Sequence, residues 1–359
     1  MCHRIYLTFT QWDTWVNWTD FKTIADAGFN TVRIPVGYWA YALYDGETYT
    51  QGSSVYIDAA IDWARSLGLK VWIDLHGAPG SQNGFDNSGH YEKTPQWMQG
   101  DTVAQTLTVL NMITAKYAQA QYQDVVVAIE LLNEPTSWDY NFDTLKQFYQ
   151  NGYDQVRAVS DTPVMIHDGF VAPSSYNNFL GPSTAKNGEF LASNYLFSQI
   201  LTYIVIVDHH EYQVFSNALV AMTPLEHQQF VCQNAPNYTT GVDKWLVVGE
   251  WTAAMTDCAL YLNGYTFGAR YDGTYPNTTS PESTYIGSCT GKSDITTWSD
   301  QFKADMKAYI AAQLGAFESQ TNGWVFWNFK TESAHEWDAF KLLEYDVFPT
   351  LGAQEAICS

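Results

Sequence analysis

The sequence predicts an α/β fold, a (β/α)8 barrel, and three observations carry that expectation. Seven near-continuous apolar runs, rich in β-branched and aromatic residues, alternate with segments of helical periodicity. His76, Glu134, Asp168, His210 and Glu250 stand at the C-terminal ends of such runs, the face on which barrel enzymes collect catalytic groups. No glycine-rich phosphate loop occurs, so an open doubly wound sheet, which has the same rhythm, lacks its usual ligand signature.

In chain order, helical spacing over Trp15–Ala27 stops at Gly28, the usual role of glycine just past a helix end. NTVRIPV (Asn30–Val36) follows as a strand, then a helix over Val55–Leu67 stopped by Gly68, then KVWIDLH (Lys70–His76). A helix over Val103–Gln119 leads to the strand Val125–Glu134, and one over Phe142–Val159 leads to Pro163–Gly169. The remaining strands are Tyr203–Tyr212, Lys244–Trp251 and Gly323–Phe329, with helices over Leu219–Cys232 and Ile295–Phe317. Strand, helix, strand in this order implies parallel pairing through right-handed crossovers. A closed barrel needs an eighth strand before the first helix, where only Arg4–Thr10 is available. Either that segment closes the barrel or the start of the chain is truncated or altered; the second is the expectation. With no repeat, low-complexity tract or linker, residues 1–359 are read as one catalytic domain.

Composition narrows the function. Lys and Arg number 17 against 38 Asp and Glu, a net charge of −21, which removes the basic footprint a nucleic-acid binder needs. A hydrophobic content of 46% can bury a large core, which excludes disorder. An aromatic content of 16% with few cations suits a protein that stacks flat, neutral ligands such as sugar rings. No run approaches the roughly 18 apolar residues of a membrane span. The start of the chain lacks signal-peptide features, yet sequons at Asn17, Asn237 and Asn277 point outside the cytosol. A secreted protein without its leader is expected. Of five cysteines, four lie in the C-terminal half; two disulfides with Cys2 left over, or buried free thiols, both fit.

The strongest local signal is Leu131-Leu132-Asn133-Glu134-Pro135, joined by a second strand-end carboxylate in Val248-Gly249-Glu250-Trp251. Glycoside hydrolysis needs two carboxylates flanking one bond, one to protonate the departing oxygen and one to attack the anomeric carbon or activate water. A lone strand-end Glu is ordinarily a solvated loop carboxylate; the pair, with Asn133 as a neutral donor beside Glu134, favours catalysis. The strand-end histidines form no HxH or HExxH ligand set, so neither a metal nor a cofactor is expected.

From about Trp12 to Cys358 the chain resembles glycoside hydrolase family 5, specifically the fungal exo-β-1,3-glucanases. The matching stretches are GFNTVRIPVGYWAY from Gly28, DLHGAPGSQNGFDNSG from Asp74, LLNEP from Leu131, HEYQVF from His210, VVGEW from Val247 and WVFWNFKTE from Trp324. LLNEP alone indicates only retaining barrel hydrolases in general; HGAPGSQNGFDNSG carries the narrower likeness. The resemblance implies Glu134 as general acid/base and Glu250 as nucleophile, with Arg33 beneath the nucleophile keeping it ionised. It implies His76 and Asn133 at the first sugar subsite, His210 and Tyr212 orienting the nucleophile, and Trp327 as a platform under glucose. Phe85 and Phe215 would clamp a second sugar at the entrance. Read without the family, His76 and His210 are structural histidines and Trp327 is core. The resemblance also implies disulfides Cys232–Cys358 and Cys258–Cys289, the second stapling an excursion over Thr256–Asp294 that would wall one side of the site.

Three departures stand out. The family's N-terminal strand, with its glycine-rich segment and sugar-binding acid, has no counterpart. Glu211 stands where the family has a neutral or basic residue and is expected to face solvent. Asn328-Phe329 replaces a pattern with a second Trp. The expected activity is release of glucose from the non-reducing ends of β-1,3-glucan by a monomer. The alternatives are β-1,6 or endo action, transglycosylation, or an inactive glucan-binding wall protein.

Overall fold

The computed structural model describes residues 10–180, 205–276, 283–352 and 358. Strands β1 (Thr31–Gly37), β2 (Lys70–Gly77), β3 (Val126–Glu130), β4 (Val164–His167), β5 (Val205–Glu211), β6 (Trp245–Trp251) and β7 (Trp324–Phe326) form one sheet in sequence order. The registers are parallel, with Asp74 opposite both Pro35 and Glu130, and His167 opposite Asp208. This is the strand order of the (β/α)8 barrel, with seven strands among the described residues. Nearly all of Arg4–Thr10, the candidate closing strand, lies outside those residues, as does Cys2; Thr10 itself opens a helical stretch over 10–15.

Local chemistry moves several boundaries. The helix expected over Trp15–Ala27 is interrupted because Asn17 caps a new one, Trp18–Asp26. The Asn17 side chain accepts from the Thr19 N–H, and Asp20 reaches back to the Asn17 N–H. Leu219–Cys232 becomes two helices, Asn217–Val220 and Pro224–Thr239, since Thr223 and Glu226 form a capping box ahead of Pro224. Likewise Ser299 caps Asp300–Gln320, leaving Ile295–Thr297 as a single tight turn. Gly68 takes φ 75° at the end of helix Ser54–Leu67, as expected. β3 and β7 stop short of Glu134 and Phe329, because the chain there leaves the ladder to build loops. Among the described residues no helix is long and apolar enough to cross a membrane.

The chain divides into two compact units. One runs as far as Asp208, with Asp243–Trp245 joining it, and holds β1 to β4 and the start of β5. Ile73, Leu75, Ile129 and Ile166 are buried along its strands, and Trp97, Tyr117, Phe148, Tyr149 and Tyr176 are buried in the helices and loops around them. The other begins at His209 and holds the rest of β5, β6 and β7. Its core is aromatic: buried Trp251 meets Phe326 edge-on at 4.9 Å and Phe317 at 5.5 Å. Two disulfides lie in this unit, Cys232–Cys358 with Cα atoms 5.1 Å apart and Cys258–Cys289 at 5.2 Å. Within the excursion that Cys258–Cys289 staples, buried Asp257 accepts from the Arg270 and Tyr271 N–H groups and from Arg270 Nη1. Asn17 and Asn237 are exposed, and Asn277 lies outside the described residues.

Candidate active site

The first unit carries the Glu134 half of the constellation. Period-two alternation turns Arg33, Asp74 and Glu130 to one face of β1, β2 and β3, where the Arg33 side chain is fully buried. Its Nη2 lies 2.9 Å from Glu130 Oε2 and 3.1 Å from Asp74 Oδ2, donates to Asn133 Oδ1 at 2.8 Å, and stands 3.8 Å from Asp208. Burial would push the Asp74 carboxyl up, but the Arg33 charge, then His76, outweighs it and holds Asp74 below the usual carboxylate range. His76 Nδ1 sits 2.6 Å from Asp74 Oδ2, which sets the ring, and its Nε2 lies 3.5 Å from Asn133 Nδ2. His76 is therefore both a structural partner of Asp74 and a neighbour of Asn133.

Past Glu130 the backbone keeps its neighbours: the Leu131 N–H donates to Met165 O and the Asn133 N–H to Leu75 O. Gln82 joins the loops after β2 and β3, its amide donating to both His76 O and Asn133 O. Glu134 then takes φ 46°, a left-handed conformation rare outside glycine, which turns its side chain out of the strand direction. Asn87 Nδ2 donates to Glu134 Oε2 at 2.7 Å. Phe85, two residues before Asn87, is 44% exposed.

The second unit carries the Glu250 half. Glu250, next to last in β6 and buried, accepts from the Tyr212 hydroxyl at 2.7 Å, and His210 Nδ1 lies 3.5 Å from the same Oε2. Tyr212 packs on Trp337 at 5.3 Å and on Phe215 at 5.5 Å; with Trp327 it lines the apolar cluster of Val214, Val220, Ala254 and Trp337. The Trp327 N–H donates to Trp251 O, which carries the alignment past the end of β7. Phe215 is 44% exposed.

Glu211 is a correction. It does not face solvent but is buried, accepting from the Tyr238 hydroxyl at 2.6 Å, with His209 at 3.7 Å. The pleat explains this: His210 on β5 and Tyr212 just past its end face the side that serves Glu250, so Glu211 points the opposite way, into the packing of helix Pro224–Thr239. Asp74, Gln82, Asn87, Glu130, Asp208 and Trp337 are participants that residue reasoning missed. Asn87 and Gln82 fall inside the quoted HGAPGSQNGFDNSG stretch, but nothing in their type or spacing marks them.

Comparison with known proteins follows the same lines. Residues 6–264 match the model of Cellulase (glycosyl hydrolase family 5). Over 340 residues the chain is 44% identical to "Glucan 1,3-beta-glucosidase 2" of Wickerhamomyces anomalus, covering 94% of this chain and 75% of that protein. It is 45% identical to a "Glucan 1,3-beta-glucosidase" of Blumeria graminis over 340 residues, 94% of this chain and 74% of that one. Among solved structures it is similar to the rutinosidase from Aspergillus niger, with a TM-score of 0.66 over 94% of this chain and 83% of that one. Their identity is 16%, so that likeness speaks for the fold.

Proposed function

The chain belongs to glycosyl hydrolase family 5, and from that premise we propose that it releases glucose from the non-reducing ends of β-1,3-glucan with retention of configuration. The observation that carries this reading is the Glu250 carboxylate at the end of β6, oriented by a 2.7 Å hydrogen bond from Tyr212. A hydroxyl donor on one carboxylate oxygen fixes the orientation of the group. The names of the relatives supply the substrate.

In the first step Glu134 gives its proton to the glycosidic oxygen while Glu250 attacks the anomeric carbon, forming a glycosyl ester and freeing the shortened glucan. In the second, Glu134, now a carboxylate, takes a proton from water as that water displaces Glu250, returning both groups to their starting forms. Asn87, donating to Glu134, can serve it in either state because the oxygen it meets accepts throughout. Arg33, His76, Asn133, His210 and Trp327 would hold the first glucose, and Phe85 and Phe215 the second. The protein would act as a secreted, glycosylated monomer with one catalytic domain.

Laminarin digestion followed by proton NMR tests this. Glucose should be the sole early product, released as the β-anomer, and Glu250→Ala should abolish release. Early oligosaccharides would make the action endo, α-glucose at first appearance would make it inverting, and an active Glu250→Ala variant would remove the nucleophile assignment.

A further inference from the structure

We infer that Trp39 is a positioning residue for the general acid/base: its indole seats the turn that brings Asn87 to Glu134. The inference rests on the functional reading above, which makes Glu134 the proton donor.

Trp39 follows β1, in a tight turn over Tyr38–Ala40. Three glycines leave room for its ring. A Cβ on Gly37, at the end of β1, or on Gly89, in the loop after β2, would overlap the indole, and one on Gly77, at the end of β2, would stand 3.1 Å from it. Two strand ends and one loop therefore close on a single aromatic side chain, as only glycine backbone can. Tyr49 stacks on the indole at 4.5 Å with the planes 11° apart, and Tyr38 meets it edge-on at 5.3 Å. The Tyr49 hydroxyl also donates to Gly89 O at 3.0 Å. Glu47 steadies this segment by accepting from the Tyr38 hydroxyl and the Tyr44 N–H.

Gly89 matters because of what precedes it. Asp86–Ser88 forms one tight turn, closed by the Gly89 N–H, which donates to Asp86 O, with Gly89 at φ 87°. Asn87 is its middle residue. Phe85, Asp86 and Asn87 are exposed and only Ser88 is buried, so the turn has no apolar core of its own. Packing must come from outside: a Cβ on Gly77 would overlap Ser88 O, which places the turn against β2 as well as against the indole. Asn83 Nδ2 donates to Asn87 Oδ1 at 3.0 Å. That bond engages the amide oxygen and leaves the nitrogen to donate to Glu134 Oε2. One hydrogen bond from so small a turn is only as well placed as the ring beneath it, and catalytic groups lose rate steeply when misplaced by an ångström.

The test compares kcat/KM for phenyl β-glucoside, whose leaving oxygen needs a proton, with kcat/KM for 2,4-dinitrophenyl β-glucoside, whose leaving group departs as a stable anion. Both are aryl glucosides without a second sugar, so their ratio reports proton donation. Asn87→Ala should lower the phenyl-to-dinitrophenyl ratio about tenfold, the worth of one hydrogen bond to a carboxyl group. Trp39→Leu should lower it likewise, and Trp39→Phe should keep most of it. The double variant Trp39→Leu/Asn87→Ala should show the ratio of Asn87→Ala alone, since both losses pass through one bond. The dinitrophenyl rate reports whether each variant is folded. If Trp39→Leu is not, Tyr49→Phe, which deletes the bond to Gly89 O and keeps the ring, should lower the ratio in its place. An unchanged ratio in whichever of these two variants folds, or losses that multiply in the double variant, overturns the inference while the parent protein still hydrolyses both glucosides. A parent protein that hydrolyses neither overturns the functional reading and the inference with it.

Discussion

Tyr212 concentrates the chemistry of the second unit in one hydroxyl. Its ring is held by Trp337 and Phe215, and its oxygen donates to Glu250. Tyr212→Phe keeps the packing and deletes one charge-assisted hydrogen bond, worth about 1.5–3 kcal/mol. The expected result is a fall in kcat on laminarin of roughly ten- to a hundredfold with a melting temperature near that of the parent. Unfolding at lower temperature with kcat intact would make Tyr212 a packing residue. The same scale shows where reading residues in line works and where it does not. Tyr212 was reached through the His-x-Tyr resemblance, and the pleat explains why that spacing works, since residues two apart fall on one side. Glu211 between them was expected to face solvent, since one more acidic residue in an acidic chain carries no sign of a tyrosine waiting 27 positions on. Arg33 was picked out only through the resemblance, beneath the nucleophile, whereas its partners Asp74, Glu130 and Asp208 were hidden inside runs whose hydrophobicity was the signal for a strand.

At the scale of elements, the strands were legible because burial on both faces demands continuous apolar runs, and the helices because Gly68 and its like end them. What misled was length. Helical periodicity alone does not register a capping box, so Thr223–Pro224 split one expected helix and Asn17 another. The loops were the least legible, since Asn87, Gln82 and Gly89 act through contacts between different loops. Among its described residues the excursion after β6 has no helix or strand before Ile295, and one disulfide cross-links it. Cys258–Cys289 closes a separation of 31 residues, for which loop-closure entropy gives about 3–4 kcal/mol. The double variant Cys258→Ser/Cys289→Ser should lose stability of that order in denaturant titration, and protease should cut first within 259–288. Unchanged stability with no new cleavage would show that the Asp257–Arg270 contacts suffice.

For the molecule as a whole, opposed buried groups shape stability against pH. Glu336 is 2% exposed, with Ser293 Oγ 2.6 Å from its Oε1, and burial pushes its carboxyl from an ordinary 4.5 up to about 7. The folded state therefore keeps a proton that the unfolded chain has already released, so this stabilisation is whole below about pH 4.5 and drains away up to about pH 7. His227 works the other way. Burial lowers it from 6.5 to about 4, so folding excludes a proton that the unfolded chain binds, and stability is lost as pH falls through that window. Between about pH 4.5 and 6.5 the two slopes oppose each other and leave a plateau. Asp74, held low by Arg33, adds loss only at still more acid pH. Above the plateau the Glu336 loss runs alone, and a net charge of −21 adds self-repulsion. Glu336→Gln removes one slope and leaves the other. Denaturant unfolding from pH 4 to 9 should then show the variant gaining stability up to about pH 6.5 where the parent is flat. Relative to the parent the variant should gain on the order of 3 kcal/mol by pH 8, taking pH 4 as the common point. Parallel curves for parent and variant across that range would mean that Glu336 ionises as an ordinary carboxylate and that the alkaline loss has another source.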